Sequence, residues 1–107
     1  MSGSESPRGG VLSIEEILTV LREHLPEIAR KHHVKSLRVF GSYARGAARK
    51  ASDLDILVEY SQPPDIFGFM ELEAELAAIT GVNVELTSAG ALRGNIGRRI
   101  LQEVVQV

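Results

Sequence analysis

The sequence predicts an α/β domain in which one sheet carries helices packed mainly on one side. Apolar residues recur at helical spacing in long segments and alternate at strand spacing in three short ones. The order is helix, strand, short helix, strand, helix, strand, helix, with no internal repeat. The 107 residues leave room for a single core.

Ser13 and Glu16 stand at capping-box spacing, and Ile14, Ile17, Leu18, Leu21, Leu25 and Ile28 follow at helical intervals. They predict an amphipathic helix from Ile14 to Lys31, with Pro26 as a point of kinking or restart. From Lys35 to Phe40, Leu37 and Val39 alternate with Arg38 and Phe40, as in a strand. That strand runs into Gly41-Ser42, where Ser42 is placed to cap a short helix beginning at Tyr43. Ala47 to Ser52 reads as a loop. Asp53 to Tyr60 alternates again, Leu54, Ile56 and Val58 on one face and Asp53, Asp55 and Leu57 on the other.

Gln62-Pro63-Pro64 breaks the pattern. A helix is expected over Asp65 to Thr80, with Phe69, Leu72, Leu76 and Ile79 inward and Gly81 as its stop. Val82 to Thr87 is the third strand, with Val82, Val84 and Leu86 opposite Asn83 and Glu85. A last helix is expected from Ala89 to Val105, striped by Ile96, Ile100, Leu101 and Val104 and weakened by Gly94 and Gly97.

Composition narrows the class of function. A net charge of −2 supplies no broad basic surface, so direct nucleic-acid binding is not expected. Cysteine is absent, which excludes disulfides and thiolate metal sites. No apolar run approaches the ~20 residues of a membrane span, and Met1 to Gly10 lacks the apolar stretch of a signal peptide. A cytoplasmic protein is expected. Residues 1–12, rich in Gly, Ser and Pro, read as a disordered tail before a domain over 13–107.

The sheet face away from the helices would carry Asp53, Asp55 and Glu85. Carboxylates at i and i+2 on a strand lie roughly 6–7 Å apart and repel by roughly 2–3 kcal/mol at an effective dielectric near 20. A divalent cation between them relieves that cost, and paired metal ions clamp the attacking and leaving oxygens of a phosphoryl transfer. Oxygen ligands favour Mg²⁺, with Mn²⁺ as an alternative. On its own, a D-x-D pair is commonplace on a solvated strand. Gly41-Ser42 adds backbone N–H groups and a hydroxyl at a strand-to-helix turn, where a triphosphate can bind. A Gly-Ser turn is equally commonplace as a plain helix cap.

Together the two are specific. Gly41-Ser42-Tyr43-Ala44-Arg45-Gly46, five residues, then Ser52-Asp53-Leu54-Asp55-Ile56-Leu57-Val58 resembles the G-S-x-A-R-G…S-D-x-D-x-x-V motif of the polymerase-β-like nucleotidyltransferase superfamily. The chain is most similar there to the minimal nucleotidyltransferases, short proteins often encoded as antitoxins beside HEPN-domain toxins. The resemblance runs from Ser13 onward and implies that superfamily's fold, here with a three-stranded mixed sheet.

The resemblance also implies roles. Gly41 and Ser42 would hold the β- and γ-phosphates of ATP, and Asp53 and Asp55 would ligate Mg²⁺. Arg45 would touch phosphate or brace the loop, and Ser52 would shape the entry to its strand or line the nucleotide site. The family's third carboxylate, commonly aspartate, corresponds to Glu85 within Val84-Glu85-Leu86. It would bind metal and help deprotonate the attacking hydroxyl. Its extra methylene moves the carboxylate by about 1.5 Å unless the rotamer compensates, whereas such sites tolerate roughly 0.5 Å.

Three functions follow. The first is an enzyme that transfers AMP from ATP to a hydroxyl, typically a tyrosine, of a cognate HEPN toxin. The second is an antitoxin of weak or no activity that neutralises by binding, and the third a sensor that binds ATP without turnover. Elsewhere, His32-His33 fits a helix C-terminus better than a metal pair, since adjacent helix residues diverge. His24 reads as surface, and Arg93, Arg98 and Arg99 as a solvated face or as contacts to an acidic partner or the nucleotide. Phe67, Phe69 and Met70 form a partner-facing patch or join the core.

Overall fold

The computed structural model describes residues 12–49, 52–91 and 104–107. Helix α1 (Ile14–His32) begins at the expected capping box. The Ser13 hydroxyl accepts from the Glu16 N–H at 3.2 Å, and Glu16 Oε1 accepts from the Ser13 N–H at 2.9 Å. These bonds satisfy two of the donors a helix start leaves orphaned. Pro26 removes one internal hydrogen bond, yet α1 does not restart there. Ile17, Leu18 and Leu21 on one side of it and Ile28 on the other are all buried in the core, which holds the helix to one axis. His33 ends α1 in the left-handed conformation, φ 58°, its N–H donating to the Ala29 carbonyl.

Strand β1 (Val34–Phe40) leads through α2 (Gly41–Ala44) to β2 (Leu54–Tyr60). Helix α3 (Ile66–Thr80) then crosses to β3 (Val84–Ser88), followed by a 3₁₀ turn at Ala89–Ala91. The Asp65 carboxylate caps α3 by accepting from the Gly68 N–H at 2.8 Å, and Gly81 closes it at φ 77°. The core joins the apolar stripes of α1 and α3 to Leu37 and Val39 of β1, Leu54, Ile56 and Val58 of β2, and Leu86 of β3. Leu57, on the second face of β2, is buried as well. Leu12, assigned to the tail by composition, packs partly buried against the core.

The sheet has four strands where three were expected, in the order β3-β2-β1-β4. β2 and β3 run parallel, and the other pairs are antiparallel. The added strand, β4 (Val105–Gln106), pairs with Arg38 and Val39. Arg22 donates to its Gln106 carbonyl at 3.0 Å and Arg38 Nε to the Gln106 side chain at 3.2 Å. A two-residue strand is too short to show a period, so the helical stripe extended across it. Apart from its ends, the expected last helix lies outside the described residues, together with Arg93, Arg98 and Arg99 and most of the tail. Its two described ends are not α-helical: Ala89–Ala91 is a 3₁₀ turn and Val105 lies in β4.

The opposite margin of the sheet, β3, is tied to α3. Leu86 donates its N–H, on the side away from β2, to Glu73 Oε2 at 2.9 Å. Behind the sheet, His32 Nε2 and Lys31 Nζ meet Glu75 Oε1 at 2.9 and 3.1 Å, joining α1 to α3. Among the described residues, no helix is long and apolar enough to cross a membrane.

Candidate active site

β1 ends at Phe40, and the chain turns at Gly41 with φ 75°. That left-handed conformation favours glycine, because a side chain there strains against its own backbone. α2 begins at Gly41, two residues earlier than expected, so the cap position falls to Phe40, which makes no side-chain cap. Ser42 therefore lies inside the first turn and does not cap the helix. Tyr43 is buried in the core and anchors the turn. The Arg45 N–H donates to the Gly41 carbonyl at 3.1 Å and the Ala47 N–H to the Ser42 carbonyl at 2.8 Å, which closes the turn.

The loop that follows is fastened at its far end by Ser52. Its Oγ accepts from the Arg49 N–H, and its own N–H donates to the Arg49 carbonyl, both at 2.8 Å. β2 begins one residue later than expected, at Leu54, which leaves Asp53 exposed just before the strand.

Asp55 sits where these pieces converge. It pairs with Phe40 on β1 and with Glu85 on β3, so the two carboxylates lie side by side on parallel neighbours. Asp55 also leans over the glycine turn. A Cβ added at Gly41 would collide with Asp55 Oδ2 and stand 3.1 Å from its Cγ. Burial, the negative charge of Glu85 and a hydrogen bond shared with it push Asp55 up to about 6, with a smaller contribution from Asp53. Arg45 acts in the opposite direction. The structure thus brings together Gly41, Asp55 and Glu85, with Asp53 and Arg45 within electrostatic reach and Ser52 serving the loop.

As the side chains stand, no three His, Asp or Glu residues among those described form a ready metal cage. The chemistry of Asp55 and Glu85 nevertheless suits a hard cation. Both donors are oxygens, and the like-charge repulsion that helps raise Asp55 is what a divalent cation between them would relieve. Sequence reasoning gave Asp55 and Glu85 a common face. It did not show their direct pairing, because strand neighbours and register are tertiary. Nor did it show that Gly41 makes room for Asp55.

The nucleotidyltransferase domain model matches residues 21–105. The chain belongs to the nucleotidyltransferase family. This nucleotidyltransferase is 40% identical over 97 residues to the protein adenylyltransferase MntA of Thermococcus cleftensis, covering 91% of this chain and 98% of that one. A solved chain assigned as a minimal nucleotidyltransferase superposes with a TM-score of 0.76 at 31% identity, over 92% of this chain and all 100% of that one. A toxin–antitoxin structure with AMP-PNP shares the fold, with a TM-score of 0.64 at 24% identity, over 89% and 72% of the two chains.

Proposed function

We propose that this nucleotidyltransferase is a protein adenylyltransferase and an antitoxin, moving AMP from ATP to a tyrosine hydroxyl of a cognate HEPN-domain toxin. The observation that carries this reading is the placement of Asp55 beside Glu85, against the Gly41-Ser42 turn. The identity to an adenylyltransferase along almost its whole length supports the choice of reaction. The AMP-PNP in a toxin–antitoxin relative of the same fold supports ATP as donor and a toxin as partner.

In this mechanism the Gly41-Ser42 turn cradles the β- and γ-phosphates with backbone N–H groups that the first helical turn leaves without intrahelical partners. Asp53, Asp55 and Glu85 would hold Mg²⁺, which supplies Lewis-acid charge to the phosphate oxygens and leaving pyrophosphate. Glu85 takes the proton of the acceptor hydroxyl as its oxygen attacks the α-phosphorus. The P–O bond to pyrophosphate breaks as the new one forms. Arg45 balances negative charge at the mouth of the site.

The test is intact mass spectrometry of the protein and its cognate HEPN toxin after incubation with ATP and Mg²⁺. A gain of one or more AMP units on the toxin, absent with Asp53→Ala, Asp55→Ala, is expected. Glu85 in place of the family's usual aspartate keeps a second reading, neutralisation by binding alone. A stable complex with no mass gain from any of the four nucleoside triphosphates would select it.

A further inference from the structure

At the ends of β2 and β3 farthest from the carboxylates, a groove of about 780 Å³ opens. Pro63, Pro64, Ile66 and Phe69 form much of its wall, with Tyr60 and Ala89 among the remaining lining residues. The Tyr60 hydroxyl is buried with no hydrogen-bond partner among the described residues. Beside the groove, the first turns of α3 present Ile66, Phe67 and Met70 to solvent at 63%, 77% and 55% exposure. Single exposed apolar residues are ordinary, but three contiguous with an apolar groove mark an interaction surface.

We infer that this groove and the Ile66–Phe67–Met70 patch form the docking surface for the acceptor protein, taking an apolar knob with a basic rim. This rests on the reading that the acceptor is a protein. Charge identifies the occupant. Glu59 and Asp65 line the groove, and α3 carries Glu71 with no Lys or Arg, while its Glu73 and Glu75 are engaged by the Leu86 N–H and by Lys31 and His32. Lys35, 3.7 Å from Glu59 in an exposed pair, offsets little of this. A second copy docking about a two-fold axis would set acidic residues against their own likes, which disfavours self-association.

Reach is adequate as well. Tyr60 lies five residues along β2 from Asp55, about 17 Å at strand spacing. A partner anchored in the groove covers that distance with five or six extended residues, delivering a hydroxyl to the carboxylates.

The experiment compares wild type with Phe67→Ser, Met70→Ser against the cognate HEPN toxin. It measures the dissociation constant, the KM and kcat of AMP transfer, and ATP binding by calorimetry. Loss of two apolar anchors is expected to weaken binding and raise the toxin's KM by roughly thirtyfold, with kcat at saturation and ATP affinity unchanged. Both residues are exposed, so the variant is expected to melt with the wild type, and Glu71→Lys is expected to slow association. Wild-type constants in the double variant would overturn the docking surface. So would a wild type that fails to bind the toxin, or one that sediments as a dimer while the variant is a monomer. A wild type that binds but transfers nothing sinks only the transfer reading, and the variant's dissociation constant still decides the surface.

Discussion

The two ends of β2 and β3 differ in what they make the protein tolerate. One end packs Asp55 against Glu85 and the Gly41 turn, so like charges and a left-handed backbone are held in place by the surrounding core. The other leaves Ile66, Phe67 and Met70 in water around an apolar groove. The first end bears an electrostatic cost and the second a solvation cost. Neither serves the fold, and in the proposed reading chemistry and recognition are separated along the same two strands.

That separation can be broken most forcefully at Asp55. Asp55→Asn is expected to lower AMP transfer by about 10³-fold, because charge stabilisation through a metal ion is worth several kcal/mol and each 1.4 kcal/mol is tenfold. Toxin binding should remain within twofold of wild type, and an equal loss of both, read by mass spectrometry and calorimetry, would merge the two ends. Gly41→Ala comes next. Its methyl group displaces the Asp55 carboxylate, and transfer is expected to fall about 10²-fold for a shift of roughly 1 Å. Denaturant unfolding should show a loss of about 1–2 kcal/mol from the left-handed backbone.

Stability against pH sharpens the same contrast. Asp55 is raised from 3.8 to about 6 in the folded chain, so the protonated folded form is favoured below pH 3.8 and that advantage is lost as pH rises through 6. In metal-free buffer at pH 7, Asp55→Asn is therefore expected to stabilise the fold, by about 1 kcal/mol after allowance for solvent screening. The gain should vanish near pH 3.5, and Mg²⁺ should narrow it by favouring the ionised wild type. At the other end, Phe67→Ser is expected to change the unfolding free energy by less than about 0.5 kcal/mol, as surface substitutions do. A larger loss would mean that Phe67 packs in the folded protein.

Much of this was legible in the sequence where a local rule was sufficient. Ser13 and Glu16 announced the start of α1, and alternation placed Leu54, Ile56 and Val58 on the core face. Asp55 and Glu85 followed on a common face. What local rules missed depends on tertiary contacts. β4 consists of two residues, too few for a period, and owes its place to Arg22, Arg38 and the Leu37 carbonyl, which accepts from the Val107 N–H and the Gln106 side chain. Ser42 has the chemistry of a cap, yet the turn at Gly41 starts α2 before it. The stripe of α3, by contrast, placed Phe69 inward, where it packs partly buried, and left Phe67 off it, in water. Pro26 reads as a break, and burial on both sides of it overrides that reading.

Glu73 has a consequence of another kind. A five-residue strand at the rim of a sheet is an open template, offering unpaired N–H groups to any extended chain that meets it. By accepting the Leu86 N–H from above, the Glu73 carboxylate occupies the middle of that template and surrounds it with negative charge. One side chain on a crossing helix thus removes a donor that an added strand would need to pair with this edge.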